Sequence, residues 1–389
     1  MKVTPTPTPA ARVGVAARGR RMKISIIGAG IHGLSAAWGL LRAGHDVTVL
    51  EQGPIPNPAA SSVDQHRLIR APYGALEGYA RMIPAAFEAW DEMWRDLGET
   101  LFVETGILVL SDGKASWPRD SVAVLEKMGR RIDRLDRRAL AERFPLINPG
   151  EVEEAYHFAD GGPLLAGRIV AALARHLGAR GVTLRENTRV AAIDAERAAV
   201  ILADGSRIEA DALVIAAGAW VPKLVPSLAQ RLTPSRQTVL YYEPPAESAA
   251  LWARSPGVID LRDEAGFYLV PPVAGTGLKI GDHRFSRSGD PDGDRVASAE
   301  EGASIPDFCR ARLRDFDRFR LVEKKICFYT VTEDERFIVE PLSGRSLVAS
   351  PCSGHGFKFG ALIGLEIAAA IGDSAAMSRL AARMAGRLD

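Results

Sequence analysis

The sequence predicts an α/β fold, α+β overall, in which a parallel-sheet domain is interrupted by insertions that build a second, mixed and mainly antiparallel sheet. Three observations predict it. A strand–turn–helix–strand unit stands near the start, the segment after it abandons that pattern, and the pattern resumes only from Gly167 onward.

The first unit is MKISIIGAGIHGLSAAWGLLRAGHDVTVLEQ. Ile24, Ile26 and Ile27 read as a buried strand, and Gly28, Gly30 and Gly33 fit G-x-G-x-x-G. Gly28 permits the sharp turn, Gly30 admits backbone amides to a pyrophosphate, and Gly33 lets helix and strand pack closely. The helix N-terminus adds positive potential for the phosphates. Leu34, Ala37, Trp38 and Leu41 carry the helical period, which stops at Gly44. DVTVLEQ is the second strand and ends in Glu51, an acid placed to bind ribose hydroxyls. An acid there, rather than an arginine, argues against a 2′-phosphate on the dinucleotide. His32 occupies a free position of the motif and reads as a surface histidine.

After Glu51 comes GPIPNPAASSVDQHRLIRAPYG, loop-like and rich in Pro, Ala and Ser, carrying His66, Arg67 and Arg70. MIPAAFEAWDEMWRDLG reads as a helix. From Gly167 the chain gives a helix, a strand and three short alternating strands with a turn at ADGS. A buried strand, Ala212–Ala216, then runs into Gly218. RQTVLYYEP, GVIDLRD and GFYLVPP alternate and form the floor of a cavity. A nucleotide fold interrupted by insertions, with a small antiparallel meander and a second glycine approach at Gly218, is the organisation of FAD-binding flavoenzymes. The expected division is a FAD-binding domain of residues 22–80, 155–230 and 335–389, and a substrate domain of residues 81–154 and 231–334. Residues 1–21 have basic residues, no acids and a Thr-Pro repeat, which reads as a disordered tail.

Across 389 residues the formal net charge is +1, which leaves no electrostatic case for nucleic acid or an anionic membrane as partner. Three cysteines, Cys309, Cys327 and Cys352, make no disulfide framework, so a reducing, cytoplasmic setting is expected. The most apolar segment, ALIGLEIAAAIG, is short for a membrane span and carries Glu366. DPDGD in the polar stretch after Phe285 lacks the rest of a calcium-loop spacing, and no metal is expected.

Five motifs in order, GAGIHG, DQHRLIRAPYG, GLKIGDH, CFYTVTEDERFI and SGHGFKFG, carry a resemblance. From Lys23 to about Ile371 the chain resembles the monomeric sarcosine oxidase and N-methyltryptophan oxidase branch of the FAD-dependent D-amino-acid-oxidase-like superfamily. The resemblance implies a thioether between Cys327 and the flavin 8α-methyl group; taken alone, Cys327 is a buried small hydrophobe, and Cys309 and Cys352 are inert. It implies that Lys279, otherwise an ordinary strand lysine, is the cation that favours electron transfer to oxygen. It implies that Arg70 and Lys358 bind the substrate carboxylate, that Arg67 lies against the flavin, and that His283 belongs to the flavin site. Tyr268 and Tyr329 would wall the substrate cavity. Backbone amides around Gly354, Gly356 and Phe357, with the helix that follows, would face the flavin pyrimidine ring.

The expected reaction is oxidation of a small secondary, N-methyl or cyclic amino acid, with oxygen as acceptor and hydrogen peroxide as product, in a monomer. A dehydrogenase using another acceptor is the alternative. One departure stands out: Ser62 and Val63 occupy the place where the family's sarcosine oxidases carry histidine beside the flavin, which argues against assuming sarcosine itself.

Overall fold

A computed structural model describes residues 20–262 and 265–387. Most of the expected tail, residues 1–19, lies outside the described residues.

The first strand, Lys23–Ile27, is the middle of a six-stranded sheet. It pairs in parallel with Asp46–Leu50 on one side and Ala212–Ile215 on the other. Outward from these lie Thr183–Arg185 at one edge, and Ser346–Ser350 then Ile338–Pro341 at the other. All pairings are parallel except the last. Strand alternation sends Ile24 and Ile26 to one face and Ile27 to the other. The first face packs with Leu34 and Trp38 of helix Ile31–Arg42, Ile169 and Leu173 of helix Ala166–Ala179, and Ile363 and Ile367 of helix Gly360–Ala370. The second face packs with Val200 and Leu202 of a three-stranded meander, Val190–Asp194, Ala199–Leu202 and Arg207–Glu209, which turns at ADGS as expected.

The second sheet has eight strands. Its order runs Arg320–Val331, Thr233–Glu243, Leu278–Asp282, Ala265–Val270, Gly257–Arg262, Ile107–Ser111, Glu154–Phe158 and Asp133–Leu135. Every neighbour is antiparallel except Gly257–Arg262 with Ile107–Ser111. One strand, Glu154–Phe158, shifts a boundary: it belongs to this sheet, whereas the sequence division put residue 155 in the other domain. The helix Glu77–Leu97 spans the MIPAAFEAWDEMWRDLG segment. It carries Trp90 and Met93 into the same core as the helices of the six-stranded sheet.

Candidate functional site

The glycine turn is built as its spacing demands. Gly28 has φ +100°, and a Cβ on it would meet the Ala216 carbonyl oxygen at 2.5 Å; a Cβ on Gly33 would lie 1.9 Å from the Gly28 carbonyl oxygen. Neither position admits a side chain, which is how the helix comes so close to the strand. Glu51, at the end of the second strand, accepts from the Ala29 amide at 2.8 Å, the Gly53 amide at 3.1 Å and the Asn57 side chain at 2.8 Å. The Ile31 amide donates to Ser62 Oγ at 3.0 Å, so this serine ties the loop to the helix N-terminus.

A cavity of about 660 Å³ runs from this turn to the second sheet. Its wall includes Gly28, Gly30, Glu51, Arg67, Arg70, Gly218, Tyr268, Lys279, His283, Tyr329, Gly354, Gly356, Phe357 and Lys358. These are all the expected site residues except two. Gly33 packs beneath the turn, and Cys327 sits in the strand Arg320–Val331, 7% exposed and opposite Gln237. Burial raises the Cys327 thiol, against the pull of Arg67 and Lys279.

The histidine inside the motif corrects the sequence reading. His32 is not a surface residue: it lines the cavity, and its Nδ1 is buried with no hydrogen-bond partner among the described residues. Burial pushes its ring down to about 4, so it is neutral at pH 7. Cys352 also lines the cavity, accepting from the Thr330 amide at 3.4 Å, whereas Cys309 is buried in the core of the second sheet. Burial raises both thiols.

Two cations of the cavity wall, Arg70 and Lys358, form no ion pair among the described residues. Arg70 donates to the Pro72 carbonyl and lies between the Tyr73 and Trp117 rings, 4.7 and 5.3 Å from their centroids. Lys358, 3% exposed, donates to Tyr73 Oη at 2.9 Å and to the His355 carbonyl at 2.8 Å. Among the described residues neither has an ion-pair partner. Burial lowers both; Arg70 lowers Lys358 further, while Tyr73 and Glu335 act in the opposite sense on Arg70. Lys358 is buried and Arg70 half-buried, and Glu335 of the same wall acts on Arg70 without forming an ion pair, so an anionic ligand would offset part of the cost of holding these charges. His283, nearby on the wall, is pushed down to about 4 by burial and by Arg70.

Lys279 is arranged differently. It is 1% exposed and donates to Asp64 at 2.6 Å. Asp64 also receives Arg67 and the Tyr241 hydroxyl, with Lys325 at 3.4 Å. Burial works to raise the Asp64 carboxyl, but Lys279, Arg67 and Lys325 together hold it well below the usual carboxylate range. Lys279 is pushed down to about 8 by burial and Arg67, against Asp64, and so remains mostly charged at pH 7. Asp64, Tyr73 and His355 were missed from sequence. The first two lie within DQHRLIRAPYG and the third within SGHGFKFG, so the motifs did mark their segments.

The residues present fit an adenine dinucleotide extended by a flavin: a glycine turn closed to side chains, a carboxylate at the second strand end, and a cavity continuing to a cationic pocket. Comparison agrees. The chain is 28% identical to a monomeric sarcosine oxidase from Bacillus sp. (strain B-0618) over 353 residues, covering 88% of this chain and 90% of that protein. It is 26% identical to an N-methyl-L-tryptophan oxidase from Yersinia pestis (strain Pestoides F), covering 88% and 93%. Among solved structures, NikD, an amino acid oxidase essential for nikkomycin biosynthesis, superimposes with a TM-score of 0.76 at 20% identity, over 90% of this chain and 93% of that one. The family model for FAD dependent oxidoreductases matches residues 23–370, and the chain belongs to that family.

Proposed function

We propose that the protein is an oxidase of a small amino acid whose nitrogen is secondary, N-methylated or part of a ring. The observation that carries this reading is the pair of cations, Arg70 and Lys358, that form no ion pair among the described residues and line the same cavity as the glycine turn. An amino acid carboxylate supplies the missing anion. Arg70 presents a planar fork and Lys358 a point charge, so one carboxylate is fixed in direction as well as place. The names of the two oxidase relatives support an N-methyl amine as the reacting group.

FAD, when bound, would supply the redox chemistry, the acceptance of a hydride equivalent from the carbon next to nitrogen that leaves a C=N bond. The chain's own residues bind, orient and tune. The cationic pocket disfavours a protonated amine beside it, so the amine is held with its lone pair free to drive the transfer. Tyr268 and Tyr329 line the same cavity, Tyr268 with its ring centroid 6.0 Å from Lys279 Nζ. The amides of Gly354–Phe357 and the short helical turn after them direct positive potential toward charge that develops on the ring system. Lys279 is the cation placed to favour oxygen as acceptor, and Cys327 is the proposed covalent tether. We place the enzyme in the cytoplasm as a monomer. Its free cysteines and the sarcosine oxidase relative's description support this, and among the described residues no helix is long and apolar enough to cross a membrane.

A second reading, a dehydrogenase using another acceptor, is favoured by one observation: Asp64 partly cancels the charge of Lys279. Screening N-methyl and cyclic amino acids for anaerobic bleaching of the flavin, then for peroxide in air, separates the two. Bleaching with prompt peroxide is expected. Bleaching that persists in air would establish the dehydrogenase, and no bleaching by any amino acid would overturn both readings.

A further inference from the structure

Lys358 is not simply a lysine in a pocket. Its backbone carbonyl accepts from Trp90 Nε1 at 2.7 Å, which pins the residue from helix Glu77–Leu97. Its ammonium has three N–H bonds, and two are committed, to Tyr73 Oη and to the His355 carbonyl. The third has no acceptor among the described residues and is left for a ligand in the cavity.

The bonds around it run in one consistent direction. Tyr73 Oη accepts from Lys358, so the phenol proton is available for His355 Nδ1, 3.2 Å away. Nδ1 then carries no proton, and the hydrogen sits on Nε2, which donates to the Glu335 carbonyl at 3.0 Å. The imidazole is stacked on Phe337, with centroids 4.5 Å apart, and burial together with Lys358 holds its pKa well below the usual range. A neutral His355 of this single tautomer is what the chain of bonds requires. The same Tyr73 ring lies beneath Arg70. One residue thus touches both cations, its face on the guanidinium and its hydroxyl on the ammonium.

We propose that Tyr73 and His355 are positioning residues that hold Lys358 at a fixed place and direction beside Arg70, to receive a carboxylate group. The proposal rests on the amino-acid reading above for the identity of the anion, and otherwise on the geometry alone. Tyr73 sets the spacing of the two cations, and His355 keeps the Tyr73 hydroxyl turned so that its lone pair faces Lys358.

The test uses the flavin-loaded protein and two small probes of nearly equal shape, acetate and acetamide, with binding followed by the flavin absorbance. Tyr73→Phe keeps the ring under Arg70 and removes only the hydroxyl. Acetate affinity is expected to fall about tenfold in this variant and acetamide affinity to change less than twofold, with flavin content unchanged. With a turned-over amino acid, KM rises while kcat stays within about twofold. His355→Asn, whose side-chain oxygen can stand where Nδ1 stands, is expected to keep acetate affinity within about threefold of the parent, and His355→Leu to match Tyr73→Phe. Equal loss of both probes, or no loss of acetate, would overturn the positioning role while leaving the amino-acid reading intact. A flavin-loaded parent protein that binds neither probe would overturn that reading itself.

Discussion

At the scale of single residues, the most consequential group is Asp64. It is 3% exposed at its side chain and serves Lys279, Arg67 and Lys325 at once. Asp64→Asn would leave three cations around a neutral amide, and breaking a buried pair from one side costs about 3–5 kcal/mol; denaturant unfolding should show a loss of that order. His66 gives a pH dependence. Its buried ring donates from Nε2 to the Gly277 carbonyl, and burial, with Lys279 adding, pushes its pKa down from 6.5 to about 3. The unfolded chain therefore takes up a proton near pH 6.5 that the native ring refuses. Its stability contribution is complete above pH 6.5 and falls as the pH drops toward 3, by up to about 1.4 kcal/mol per pH unit. His66→Gln is expected to flatten the acid side of the stability profile between pH 6 and pH 4 by that slope. Cys327→Ser tests the proposed tether: acid precipitation gives a yellow pellet from the parent and a colourless one from the variant, and identical pellets would return Cys327 to core packing. The glycine turn was legible from its spacing, and the cations only through the motifs that carry the family resemblance. Asp64, Tyr73 and His355 were not, because their roles arise from partners far away in the chain: Asp64 meets Lys279, and Tyr73 meets Lys358, only once both sheets are in place.

At the scale of elements, the crossing of helices Ile31–Arg42 and Gly360–Ala370 decides where the cationic pocket sits. A Cβ on Gly39 would lie 2.3 Å from the Gly364 carbonyl oxygen, and one on Gly364 would lie 2.2 Å from the Ser35 carbonyl oxygen. The backbones touch, and the helix that follows Lys358 is fixed against the helix that follows the glycine turn. Gly364→Ala is expected to destabilise by at least the 1–3 kcal/mol of ordinary overpacking, about 2 kcal/mol in thermal or denaturant unfolding, and to weaken flavin retention at the same time. A stable variant with unchanged flavin content would show that the two helices can separate without cost to the site. The first of these helices was legible from its 3.6-residue period and its stop at Gly44. The crossing was not, since Gly39 and Gly364 are far apart in sequence and neither belongs to a motif. Strand Glu154–Phe158 shows the same limit: EAYHF carries no alternation that marks a strand, and it is pairing with Ile107–Ser111 that assigns it to a sheet.

At the scale of the whole molecule, the site belongs to neither sheet alone. Lys279, Tyr268 and Tyr329 come from the eight-stranded sheet, the glycine turn and Glu51 from the six-stranded one, and Lys358 from the segment between the last strand and its helix. Flavin-loaded protein is therefore expected to unfold in one transition, with flavin fluorescence and far-UV circular dichroism changing together as temperature rises. Two separated transitions would show that each sheet is stable by itself. The strand order has a further consequence. The sheet that begins with Lys23–Ile27 receives its neighbour Ala212–Ile215 and then Ser346–Ser350, so the first strand waits for the others to be made. During synthesis, folding tends to proceed in units from the N-terminus. Here the glycine turn leaves the ribosome early, while the lysine and helix that complete its pocket are still untranslated. The strand order thus sets cofactor loading late in biosynthesis as the expected outcome, after Lys358 and the helix Gly360–Ala370 have been made.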